Sequence, residues 1–276
     1  MNDIANVNFQ IPTPIGGPLP TPVAHSSHEA ERRDRKLRLA AAFRIFARFG
    51  LAEGIAGHIT VRDPEFNDRF WVNPYAQHFS SICPDDLICI DEEGTVHGGS
   101  GGPVNAAAVA IHCGIHATNH WVTAAAHTHS VYGRAFSARN RTLLPINQEA
   151  CLFFEDQVAF QGDVLVLDRN EGRRIASAMG DRRAAVLVNH GLLTVGTSVD
   201  ATAYRFLAME RCCQIQLLAE AAGEFIVMSN EEATSVRRQI GSDYVAWLAF
   251  QGLFDQLLKE SPDLRKYQET VAQASV

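Results

Sequence analysis

The chain has 276 residues, is 46% hydrophobic and 20% charged, and carries a net charge of −7. That size and apolar content suit one large globular domain with a tail. No run of Lys or Arg suggests a nucleic-acid footprint, and no apolar stretch approaches the roughly 20 residues of a membrane span. The densest basic stretch, Arg32, Arg33, Arg35, Lys36 and Arg38, is interleaved with Glu31 and Asp34 and reads as the solvated start of a helix. The N-terminus has no basic segment followed by an apolar core, so no secretory signal is expected. Cys83, Cys89, Cys113, Cys151, Cys212 and Cys213 show no CxxC spacing. They read as reduced thiols of a cytoplasmic protein.

Residues 1 to 28 are rich in Pro, Gly, Asn, Ser and Thr and read as a mobile arm; residues 29 to 276 read as one domain. Apolar residues at helical spacing (Leu37, Leu39, Ala40, Phe43, Ile45, Phe46) predict a helix from Glu29 to about Phe49, capped by Gly50. Short strands are expected at Gly57 to Arg62, Arg69 to Asn73 and Leu87 to Ile90. A turn at Asp91 to Gly94 and a connector at Gly98 to Pro103 follow. Asn105 caps an expected helix from Ala106 to Ala117. Val122 to His129 reads as a strand and Val131 to Ala138 as a helix. Residues 143 to 168 hold short β-like pieces, notably Val164 to Leu167. A helix from Glu171 to Met179 ends at Gly180, and buried strands are expected at Ala184 to Asn189 and Leu192 to Val195. Helices at Ala201 to Ala222 and about Glu231 to Lys259 close the chain. Alternating strands and helices predict an α/β layered domain, a central sheet covered by helices.

Histidines carry the chemistry. His127 and His129 are two apart, so on a strand both imidazoles face one side and Thr128 faces the other. His190 ends a second apolar strand and is followed by Gly191. Three neutral imidazoles suit zinc, iron, copper or nickel and leave coordination positions open for catalysis. An H-x-H pair is also common among surface histidines, and a strand-terminal histidine often only packs. The wider pattern gives the triad its force.

At AAAHTHS and VNHGLLTVG the chain resembles the class II aldolase and adducin N-terminal domain superfamily. The resemblance spans about residues 36 to 225. It includes Gly57-His58-Ile59-Thr60, Asn73-Pro74-Tyr75, His78-Phe79, Asn105-x-Ala107 leading to His112, Leu144-Pro145-Ile146-x-Gln148 and Asn189-His190-Gly191. It implies a three-layer α/β/α fold with a central mixed sheet, often a homotetramer. It also implies that His127, His129 and His190 are the metal ligands. One departure stands out. Aldolases of the family carry an acid/base glutamate four residues before the position matched by His112, and here that residue is Ala108. Removing a proton needs a base within hydrogen-bond reach, so sugar-phosphate aldol cleavage is not the expected reaction.

One branch of the superfamily, the prenylated 4-hydroxybenzoate oxygenases of aminocoumarin antibiotic pathways, uses non-haem Fe(II) and dioxygen. It cuts a 4-hydroxyphenylpyruvate-type side chain to a mandelate and then to a benzoate, releasing carbon dioxide. The size and the three histidines resemble that branch. The implied substrate is an aromatic hydroxy or keto acid. A Zn(II)- or Mn(II)-dependent decarboxylase or aldolase is the alternative, and an adducin-like interaction module is a third. The module is disfavoured because the triad is present and long charged tails are not. His112, Tyr132 and Glu149 are candidate acid/base or ligand-orienting residues; Asn73, His78 and Gln148 are candidates for binding the substrate. His25, His28 and His97 are expected at the surface, and Trp71, Phe153 and Phe154 in the core.

Overall fold

The computed structural model describes Phe9 and residues 17–274. Among these, eight strands form one mixed sheet in the order β4-β3-β2-β1-β5-β8-β7-β6. They are β1 (His58–Arg62), β2 (Arg69–Val72), β3 (Ile88–Asp91), β4 (Val96–Gly99), β5 (Ala124–Thr128), β6 (Gln157–Phe160), β7 (Ala184–Leu187) and β8 (Gly191–Gly196). Every pairing is antiparallel except β6 with β7.

Alternation along the strands sorts the two faces. Ile59, Val61, Ala124, Ala126, Val186 and Leu192 point into the larger core. There they meet α1 (His28–Arg48), α6 (Val199–Ala222) and α8 (Asp243–Glu260). Phe43, Phe46, Phe206 and Phe250 are fully buried in this layer; each such ring contributes about 1.5–3 kcal/mol. Ala125, Ala185, Leu193 and Val195 point to the other face. Ile111 and Ile115 cover it, together with Ile175 and Met179 of α5 (Arg169–Met179). The result is the three-layer α/β/α arrangement expected from the sequence.

The expected helix at 106 to 117 is interrupted. It runs as α2 (Ala106–Ala108), a π-turn over Val109–Cys113, and α3 (Gly114–Thr118). One wide turn rotates the following side chains relative to a continuous α-helix, and such turns gather at functional sites. The segment also presses hard on α5: a Cβ at Gly172 would lie 1.9 Å from the Ala110 carbonyl.

Several boundaries differ from the pattern. Val164 to Leu167 forms no strand; the edge strand is β6, and Val164, Leu165 and Leu167 are exposed. Their unbroken apolar run imitates a strand, but beyond Phe160 no ladder partner remains. Gly98 and Gly99 belong to β4 rather than to a connector. The helix expected over 231 to 259 is two helices, α7 (Asn230–Ile240) and α8. Gly241 ends the first through a bond to the Arg237 carbonyl, and the Ser242 side chain caps the second. The short α4 (Val131–Ser137) follows β5, and α9 (Pro262–Ala274) ends the chain.

Of the arm at 1 to 28, residues 1–8 and 10–16 lie outside the described residues. Further on, the Tyr244 hydroxyl donates to the Pro20 carbonyl, 2.8 Å. His25 is not at the surface as expected: its side chain is only 12% exposed and lies 3.4 Å from Asp34.

Candidate metal centre

β5 is buried along its whole length, and its three alanines let helices close on both faces. It delivers His127 to the face shared with His58, its cross-strand partner on β1. His127 Nδ1–H donates to the Leu192 carbonyl on β8, 2.8 Å, which leaves the Nε2 lone pair available to a metal. His129 lies one residue beyond the strand, where the chain turns into α4. The buried Glu210 carboxylate on α6 holds that turn. It accepts from Ser130 Oγ at 2.5 Å, the Tyr132 N–H at 2.9 Å and the Gly133 N–H at 2.7 Å. An anionic group at a helix N-terminus satisfies donors that have no partner within the helix.

His190 is not the last residue of a strand, as the sequence pattern suggested. It sits in the tight turn between β7 and β8. The left-handed residue of that turn is Asn189, φ 58°, a conformation that asparagine tolerates better than most residues. Gly191 does not make the turn through an unusual φ. It is needed for close approach: a Cβ there would lie 3.0 Å from the Thr128 carbonyl and 3.5 Å from the His127 ring.

These elements bring the three rings together. Centroids are 5.2 Å apart for His127–His129, 4.8 Å for His127–His190 and 4.9 Å for His129–His190. One ring nitrogen from each falls within 4.8 Å of the others, and no carboxylate or thiolate joins them among the described residues. Modest rotations close that spacing onto an ion at about 2.0–2.1 Å. Burial, reinforced by neighbouring histidines, pushes the His127 pKa well below its usual value and that of His190 down to about 4. Burial also lowers His129, with Arg134 adding to the shift. Neutral imidazoles are the ligating form. His190 Nδ1 is buried without a protein partner. The donor set therefore fits a divalent metal ion.

The other candidates are placed as follows. His112 is fully buried behind His58: its Nε2 is 2.9 Å from His58 Nδ1, so it borders the centre through another ring. Ala108 packs in an apolar cluster with Phe70, Val72, Ile88 and Ile90. The Tyr132 hydroxyl accepts from Gln214 of α6, 3.0 Å. Gln148 and Glu149 are exposed at the start of the 3₁₀ turn Glu149–Phe153. His78 is exposed and caps the turn Phe79–Ser81 through the Ser80 N–H. Asn73 is buried and its Oδ1 has no partner. No hydrogen bond joins any of these to the three histidines. The sequence reading missed two residues. His58 was legible only as part of the GHIT motif, and Glu210 gave no local signal, because its role is a contact between α6 and α4.

A narrow apolar crevice lined by Phe160, Val166, Ile175, Leu187 and Val188 reaches His190. Two of the wider clefts lie elsewhere. One is bounded by Arg38, Asp200, Tyr244 and Trp247 at the far end of β5 and β8; the other is bounded by Arg32, Lys36, Trp71 and Tyr267. Neither holds the ligand cluster, so the histidines locate the site.

With this geometry in place, comparison with known proteins is direct. Residues 37–217 match the class II aldolase and adducin N-terminal domain. The chain belongs to that family. The resemblance read from its motifs is borne out. It is 44% identical over 245 residues to the 4-hydroxy-3-prenylphenylpyruvate oxygenase/4-hydroxy-3-prenylbenzoate synthase of Streptomyces roseochromogenus subsp. oscitans, covering 88% of each chain. It is 44% identical over 247 residues to the decarboxylase NovR of Streptomyces niveus, covering 88% of this chain and 91% of that one. Among solved structures, an L-fuculose 1-phosphate aldolase from Glaciozyma antarctica PI12 superposes with a TM-score of 0.80 at 39% identity, covering 87% of this chain and 96% of that one. The protein is an enzyme: its full-length relatives carry the names of an oxygenase, a decarboxylase and an aldolase.

Proposed function

We propose that the protein is a mononuclear non-haem Fe(II) oxygenase that oxidatively decarboxylates a 4-hydroxyphenylpyruvate- or 4-hydroxymandelate-type acid, prenylated on the ring, to a 4-hydroxybenzoate in antibiotic biosynthesis. The observation that carries this is an all-histidine cluster, without a carboxylate, in a chain 44% identical to a relative named for that chemistry. The reaction balances in two steps. The pyruvate-type acid takes up one dioxygen and gives the mandelate-type acid and carbon dioxide. The mandelate-type acid takes up a second dioxygen and gives the benzoate, carbon dioxide and water.

Ferrous iron, when bound, supplies dioxygen activation and an attachment point for the acid. The rest is work for the chain itself. Burial keeps the three ligands neutral, so the metal's full charge faces the substrate carboxylate. The Leu192 carbonyl fixes the His127 tautomer. Phe160, Leu187 and Val188 pack beside His190 in a crevice too narrow for a water molecule, which keeps that side of the ring dry.

Dioxygen and one small acid are the proposed partners. Assembly is proposed as a homotetramer; Val164, Leu165 and Leu167, exposed in the segment that also lines that crevice, give a second copy an apolar surface. No described helix is long and apolar enough to cross a membrane. The six unpaired cysteines fit a reducing compartment, and we place the protein in the cytoplasm.

A second reading, a Zn(II)- or Mn(II)-dependent lyase, is favoured by the structural likeness to an L-fuculose 1-phosphate aldolase. Against it stand Ala108 at the family's glutamate position and the absence of a carboxylate from the cluster among the described residues. The test is anaerobic purification, quantification of Fe, Zn and Mn, and addition of a 3-prenyl-4-hydroxymandelate under air. Iron near one per chain with equal oxygen uptake and carbon dioxide release is expected. Zinc or manganese with no oxygen uptake would overturn the oxygenase reading in favour of the lyase.

A further inference from the structure

Behind the metal ligands runs a buried chain of polar side chains that the proposed chemistry leaves unused. His58 Nδ1 is 2.9 Å from His112 Nε2. His112 Nδ1 is 2.8 Å from Thr60 Oγ1, and the same hydroxyl is 2.9 Å from His116 Nε2. His116 Nδ1 lies 3.3 Å from the Val122 carbonyl oxygen. None of the four residues is more than 2% exposed. The sheet builds this chain: His58 and Thr60 share a face of β1, and the π-turn and α3 bring His112 and His116 over them.

The hydrogens along the chain follow from its end. Burial keeps the three imidazoles neutral, so each ring has one N–H and one lone pair. A carbonyl oxygen only accepts, so His116 carries its hydrogen on Nδ1 and a lone pair on Nε2. Thr60 then donates to that lone pair and accepts from His112 Nδ1–H. His112 Nε2 is left as an acceptor and takes the His58 Nδ1–H. The lone pair of His58 therefore sits on Nε2, on the ring that stands 5.1 Å from the His127 ring. Arg62 sets the alternative. Its Nη2 is 3.5 Å from His116 Nδ1, and a bond there would reverse every donor in the chain. Its shorter bonds go to the His116 carbonyl at 2.8 Å and the Val122 carbonyl at 3.2 Å, which favours the first polarity.

We propose that His58 is a substrate-orienting residue. Its Nε2 lone pair accepts the hydrogen bond of the hydroxyl on a 2-hydroxy acid held at the three-histidine cluster. His112, Thr60 and His116 are positioning residues that keep the lone pair there. The proposal rests on the reading of the cluster as a site for such an acid, and it involves no change of charge. It also divides the two steps: the mandelate-type acid has the hydroxyl donor, and the pyruvate-type acid does not.

The test uses zinc-loaded protein labelled with ¹⁵N-histidine. Two-bond ¹H–¹⁵N spectra distinguish ring nitrogens that bear a hydrogen from those that bear a lone pair. The wild type and Thr60→Ser are expected to show His58 with hydrogen on Nδ1 and the lone pair on Nε2; Thr60→Val, which keeps the shape and removes the hydroxyl, should lose that single tautomer. Calorimetry then compares 4-hydroxymandelate with 4-hydroxyphenylacetate, which lacks the hydroxyl. Loss of one such bond corresponds to about tenfold in affinity. Thr60→Val should weaken the mandelate about tenfold and the phenylacetate less than twofold, with Thr60→Ser restoring the difference. Hydrogen on His58 Nε2 in the wild type, or equal loss for both ligands, overturns the proposal. Wild-type protein that binds neither acid would sink the substrate reading as well, while the spectrum still decides the polarity of the chain.

Discussion

Glu210→Ala is the substitution whose cost the structure sets most directly. The carboxylate is 7% exposed and takes three donors at the start of α4, directly after His129. Hydrogen bonds to a charged acceptor contribute about 1.5–3 kcal/mol each, and stranded interior donors add to the loss. Part is recovered where water reaches the half-buried Tyr132, so the net loss is about 3–5 kcal/mol, at the high end for one residue. For a chain of this size each kcal/mol corresponds to a Tm shift of about 2–4 °C. Metal-free Glu210→Ala is thus expected to melt roughly 6–20 °C below the wild type. Glu210→Gln keeps the size and one acceptor oxygen and should lose about 1–2 kcal/mol. The turn carries His129, so zinc affinity, read by competition with a chelating dye, should fall about tenfold in Glu210→Ala. Glu260→Ala, which breaks an exposed ion pair with Arg48 and an exposed hydrogen bond from Gln256, serves as the control and should change stability by less than about 0.5 kcal/mol. A Tm within 2 °C of wild type together with unchanged zinc affinity would refute the argument that Glu210 holds the ligand turn.

Replacing His127, His129 or His190 by Ala should reduce bound metal from about one per chain to near none and abolish turnover; full metal content in all three variants would remove the site assignment. Ala108→Glu places a carboxylate in the apolar cluster with Phe70 and Ile88. It should lower stability by several kcal/mol without conferring L-fuculose 1-phosphate cleavage, and a stable variant that gained that activity would contradict the packing. Acidification provides a fourth check. Burial pushes the pKa of His112 and His116 well below the ordinary value, so both stay neutral in the fold and take up a proton on unfolding. Their stabilisation is full above about pH 6.5 and declines below it, by about 2 kcal/mol per histidine at pH 5. Urea midpoints of metal-free protein at pH 7.5 and pH 5 read this directly, and equal midpoints would mean that the rings are not buried neutral.

The three-histidine cluster was legible because its cause is local. Strand alternation puts His127 on one face with His129 just past its end, and the N-H-G sequence marks a tight turn. The layered fold was legible for the same reason, since apolar periodicity dictates which face each element buries. The sequence also assigned Val164 to Leu167 to a strand, and there an unbroken apolar run misled, because a strand exists only where a neighbour completes its ladder. The π-turn at Val109–Cys113 leaves no mark in residue spacing, yet it decides which side chains of that helix meet β1. Sequence alone therefore picked out the three histidines that the fold brings together. The tertiary structure decided what surrounds them: Glu210 behind His129, and His58 with its buried chain beside His127. The contacts of Glu210 with the α4 turn, and of β1 with His112 and His116, join residues 52 to 80 positions apart. Distances of that kind are set by how β1, β5, α3 and α6 pack together, and no local pattern encodes them.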